Sequence, residues 1–81
     1  MDDVEIVQRI GRLADEEHEL ERSSRAGVGL SDEELARLRQ VEVALDQCWD
    51  LLRQRRARRN AGQDVDNAAV RPPDVVEGYR Q

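Results

Sequence analysis

The 81-residue chain carries a formal net charge of −5 at pH 7, is 38% charged and only 2% aromatic, and so makes at most one small domain. The acidic balance argues against unspecific binding to polyanions, and no run approaches the ~18 apolar residues of a membrane span. One cysteine, Cys48, excludes an intrachain disulfide, and no Cys/His cluster offers a zinc site.

Residues 2–24 read as a first helix. Asp2 with Glu5, or Asp3 alone, caps its start. Ile6, Ile10, Leu13 and Leu20 step along one helical face, which Val7 and Ala14 widen and Glu17 interrupts. Gly11 sits mid-helix, where it costs roughly 1 kcal/mol relative to Ala. The connection 25–30 holds two glycines that end a helix cheaply. Ser31 with Glu34 then forms a capping box, the most specific local signal in the chain.

The second helix is predicted from Asp32 to about Asn60. Leu38, Leu45 and Leu52 recur every seven residues, flanked by Leu35, Val41, Cys48 and Trp49. This stripe is wider than the seam of a two-stranded coil and suits a helix with more than one neighbour. Folding back through a short connection makes the helices antiparallel, with Leu20 opposite Leu35, Leu13 near Glu42, Ile10 near Leu45, and Ile6 near Trp49. Gly11 is expected to face Ala44 and let the backbones approach. Gly62 marks the helix end.

Residues 61–81 lose the periodicity and read as a non-helical arm. Pro72-Pro73 stiffens it, and Val70, Val75, Val76 and Tyr79 are apolar anchors. Two arrangements stay open: an arm docked on the helices, or a flexible one that folds on a partner. Four anchors within ten residues favour docking. The predicted fold is all-α: an antiparallel helical hairpin over 1–60, dimerising into a coiled-coil-like four-helix bundle, with an arm over 61–81. Chains this short bury too little surface to be comfortably stable alone, and a two-fold dimer closes the wide stripe. Ile6, Ile10, Leu13, Leu20, Leu38, Leu45, Trp49 and Leu52 are the candidate core or dimer interface.

Three clusters invite a chemical reading. Arg53, Arg55, Arg56, Arg58 and Arg59 put five cations in seven residues, a pattern that binds phosphates. Yet cations suit a helix C-terminus, the acidic start of helix one lies beside them, and no aromatic residues interleave for base stacking. Asp15 and His18 have the spacing of one half of a bundle metal site, but they lie off the stripe centre, so no metal or other cofactor is expected. Cys48 reads as a buried small hydrophobe without a nearby base, and no phosphate loop, nucleophile elbow or Ser/His/Asp set is present. No catalytic residue is assigned, and an enzyme is not expected.

The segment Val43-Ala44-Leu45-Asp46-Gln47-Cys48-Trp49-Asp50-Leu51-Leu52-Arg53-Gln54-Arg55-Arg56-Ala57 resembles the signature of a family of short actinobacterial proteins of unknown function. Ala69-Val70-Arg71-Pro72-Pro73 with Val76-Glu77-Gly78-Tyr79 resembles that family's C-terminal motif. The resemblance implies a helical hairpin from a GC-rich genome, in keeping with thirteen basic residues that are all Arg. It brings no activity. A physical reason for the motif is that Arg71 or Tyr79 docks beside Asp46, Gln47 and Asp50. The functional expectation is a small cytoplasmic homodimer that binds another protein, with Arg53, Arg55, Arg56, Arg58, Arg59, Arg71 and Tyr79 as candidate contacts. The alternative is a nucleic-acid accessory protein using the Arg-rich end; no membrane contact is expected.

Overall fold

A computed structural model describes residues 1–25 and 29–78. Helix α1 spans Asp3–Arg25 and α2 spans Asp32–Asn60; they lie side by side as an antiparallel hairpin, with no strand among the described residues. The start of α1 is held by Asp2, whose Oδ1 accepts from the Glu5 backbone N–H at 2.8 Å. At α2 the capping box is complete: Ser31 Oγ accepts from Glu34 N–H, and the Glu34 carboxylate accepts from Ser31 N–H, both at 3.1 Å. Of the connection, residues 26–28 lie outside the described residues. Past the end of α2 at Asn60 and its C-cap Ala61, Gly62 takes a left-handed φ of +71°. Gln63 N–H donates to Arg58 C=O and Gly62 N–H to Arg59 C=O, which is a Schellman closure.

The seam between the helices buries Ile6, Ile10 and Leu13 of α1 against Val41, Leu45, Cys48 and Leu51 of α2, with Leu52 and Ala44 packed at its edge. Leu20 and Leu38 are half-buried toward the end of the hairpin that carries the connection. Of the two places expected for Trp49, core or dimer interface, it is not in the core of the hairpin: it is 47% exposed, while Ile6, its expected neighbour, is fully buried. The stripe on α2 centres on Val41, Leu45, Cys48 and Leu52, and Trp49 falls to one side of that line. Gly11 departs too. A Cβ added there meets nothing within 4 Å, so no close backbone approach to Ala44 exists.

The arm is docked, and it is more helical than its prolines suggest. A 3-10 turn covers Val65–Asn67, capped by Asp64 Oδ1, which accepts from Asp66 N–H at 3.0 Å. A six-residue helix, α3, covers Pro73–Gly78. Pro73 takes its first position, where a proline's missing N–H costs nothing and its φ is preset. Pro72 C=O accepts from the Val75 and Val76 N–H groups. Both pieces lie along α2, burying Val76 and bringing Ala68 against the core.

Candidate interaction site

The arm is fastened to α2 by polar contacts that start from buried Asp50. Asp50 is 1% exposed, a place a carboxylate occupies only when its charge is answered. Arg71 answers it with both ends of its guanidinium: Nε donates to Oδ2 at 2.9 Å and Nη2 to Oδ1. Gln54 Nε2 donates to the same Oδ2 at 2.9 Å and to Ala69 C=O at 2.8 Å, and Gln47 Nε2 donates to Arg71 C=O at 3.2 Å. The Arg71 guanidinium first, and Gln54 after it, hold the Asp50 carboxyl below its ordinary 3.8 against the opposing effect of burial. Two glutamines spaced seven residues apart thus bind the extended backbone of the arm, with Asp50 between them.

The arginine cluster divides. Arg55 is buried at 6% exposure and ion-paired with the acidic start of α1 that the sequence places beside it. Its Nε donates to Asp3 Oδ1 at 2.5 Å, and its Nη1 donates to Val65 C=O at 3.3 Å and to Asp66 at 3.4 Å. Arg59 Nη2 donates to the other Asp3 oxygen at 2.7 Å. Arg55 and then Arg59 hold the Asp3 carboxyl below its ordinary value. Two of the five guanidiniums therefore tie down the first turn of α1. Arg53 and Arg56 are exposed and Arg58 is half-buried. Across the hairpin, Glu16 pairs with Arg37 through two contacts, one of them at 2.7 Å. This pair and Asp3–Arg55 set the register of the two helices.

The described residues leave one face of the hairpin uncovered. Trp49 stands as a ridge between two grooves. A groove of about 610 Å3 between α2 and the arm is lined by Trp49, Arg53, Ala57 and Val76 among others. A second, of about 350 Å3, lies between α1 and α2 and is lined by Glu17, Glu42, Leu45, Asp46 and Trp49. Val7 lies on the Glu17 side of α1 and is 55% exposed. Glu17 is half-buried; desolvation, followed by the charges of Glu21, Glu42 and Asp46, raises its carboxyl above the ordinary 4.5.

The structure brings together Asp50 and Arg71, which sequence spacing pairs only as a suggestion, and it leaves Asp15 and His18 exposed on α1. Cys48 is buried in the seam. Tyr79 lies outside the described residues. Sequence reasoning missed the burial of Arg55 and Leu51. Arg55 stands seven residues after Cys48 on the same stripe, a signal that was present and that its charge masked.

These features define a class: a two-helix hairpin with a C-terminal arm clasped to its second helix. The chain belongs to the DUF2630 family of proteins of unknown function, whose pattern it matches over residues 2–81. An uncharacterised protein of Mycobacterium bovis and two of Mycobacterium tuberculosis are each 51% identical to it over 77 residues, covering 95% of this chain and 88% of each relative. The signature seen in the sequence is thus that of an uncharacterised family with actinobacterial members. No solved structure matches the chain. No described helix is long and apolar enough to cross a membrane.

Proposed function

We propose that this chain is a small homodimeric protein–protein interaction protein that acts by association rather than catalysis. The observation that supports this reading is Trp49, a large side chain left 47% exposed beside Leu45 on a face that also exposes Val7. Exposed aromatic ridges of this kind anchor protein interfaces. A hairpin one layer thick, 17 Å in its smallest extent, has little interior of its own, and a second hairpin on the open face supplies the missing layer. The nucleic-acid alternative fares worse, because Arg55 and Arg59 are committed to Asp3.

Light scattering tests the reading: the expected mass at micromolar concentration is about twice the 9.3 kDa of the chain. Trp49 is the only tryptophan, so its emission is expected to shift to the blue as protein concentration rises through the dimerisation range. A folded monomer with concentration-independent emission overturns the proposal.

A further inference from the structure

The uncovered face carries a charge pattern that nearly inverts in sign about its centre. On α2, Glu42 stands seven residues before Trp49 and Arg56 seven residues after it. Seven residues are two helical turns, so all three share one side of the helix. Asp46 and Arg53 mirror Trp49 to within one residue, and so do Leu45 and Leu52. The acids therefore lie on one side of Trp49 and the bases on the other. Across the hairpin, the ion pairs Glu16–Arg37 and Asp3–Arg55 place Val7 level with the Trp49 turn. The point about which the charges invert is thus the apolar centre of the face.

We propose that a second copy of this chain covers the face, its α2 running antiparallel about a two-fold axis at Trp49, so that Glu42 and Asp46 of each protomer meet the partner's Arg56 and the partner's Arg53. The proposal rests on the homodimer reading and adds its register. A two-fold interface requires self-complementarity: if one residue meets a second across the axis, the second meets the first. Glu42 and Arg56 satisfy that rule. They cannot meet within one chain, since fourteen residues of helix separate them by about 21 Å. The arrangement also sets the partner's Arg56 and the partner's Arg53 beside Glu42 and Asp46, two of the acids whose charges bear on Glu17. The same axis buries Val7 against its own copy and covers both Trp49 side chains. Overlap along α2 then extends from about Leu38 to Asn60, which takes in Leu45 and Leu52.

The test is a charge swap across the axis. Glu42→Arg alone juxtaposes like charges twice in a homodimer, and so does Arg56→Glu alone. Each is expected to weaken dimerisation by about tenfold or more. Both sites are exposed on the helix surface, so helicity by circular dichroism is expected to be retained. The double variant Glu42→Arg/Arg56→Glu is expected to recover the wild-type dimer. Mixing the two single variants is the sharper arm: every crossing pair is then of opposite sign, and a heterodimer is expected where neither variant dimerises well alone. Sedimentation or light scattering reads all of these. If the wild type dimerises but the single variants do so equally well, or the mixture does not associate, the register is overturned and the homodimer reading stands. If the wild type is a monomer, both fall.

Discussion

Replacing Arg71 by Ala isolates the clasp. The change removes two donors from a carboxylate that is 1% exposed and leaves Gln54 donating to it. Stranding one member of a fully buried ion pair costs about 3–5 kcal/mol. Arg71 is 32% exposed at its side chain, so water enters the vacated space and screens part of that loss. An expected cost of about 2 kcal/mol follows. In a domain of this size that lowers Tm by about 10 °C. The assay is urea or thermal unfolding followed by circular dichroism at fixed protein concentration, because a dimer's melting point depends on concentration. Amide exchange should report faster opening of the arm and of the α2 turns it covers. The pair of changes Asp50→Leu and Arg71→Leu is expected to be milder than Arg71→Ala, because it leaves no stranded charge. A melting curve for Arg71→Ala that coincides with the wild type would falsify the clasp.

Gly11→Ala is expected to stabilise the chain by about 0.5–1 kcal/mol, since the position is helical and an added Cβ meets open space; a fall in melting temperature would show that something approaches it. Leu45→Ala is expected to cost about 2–5 kcal/mol and Arg58→Ala well under 1 kcal/mol, read from denaturant midpoints; equal effects would put the seam on the wrong face. Acid titration should expose Asp50. Its native pKa is lowered, so the unfolded chain takes up the proton first; the stabilisation is whole above about 3.8 and is lost as pH falls through the native value. Asp50→Asn is expected to flatten that part of the stability profile, and an unchanged slope would refute the assignment. Glu17 works in the opposite sense: with its native pKa raised, its contribution is whole below 4.5 and declines as pH rises through the native value.

What was legible in the sequence is what repeats or caps. The Ser31–Glu34 box and Gly62 announce both ends of α2, and Ile6, Ile10, Leu13 and Leu45 announce the seam, because local hydrogen bonding and helical periodicity act within a few residues. The arm was harder. Leu51 lies off the seam centre and is buried because residues beyond α2 fold back over that side, a relation that no helical repeat encodes. Whether Trp49 belongs to the core or to an interface is not legible from the sequence for a related reason. Apolar bulk suggests burial, while the helical angle leaves the side chain at the seam's border, where only the neighbouring elements decide its exposure. Arg55 shows the converse: its angle favours burial and its charge opposes it, and Asp3, fifty-two residues away in sequence, removes the objection.

Arg55 therefore does more than satisfy a charge. One guanidinium joins three stretches of chain: the first turn of α1 through Asp3, its own helix, and the arm through Val65 and Asp66. Met1 adds to this by lining the same groove as Ala68, Ala69 and Val70. Chain ends ordinarily fray independently, each with its own small opening energy. Here the N-terminal turn and the start of the arm share a fastening, so loosening one loosens the other. Such long-range closure raises the contact order of an otherwise local hairpin, and the two helices are free to form before the ends are tied together. Trimming of the first residues by a protease is therefore expected to loosen the start of the arm at Val65 and Asp66 as well.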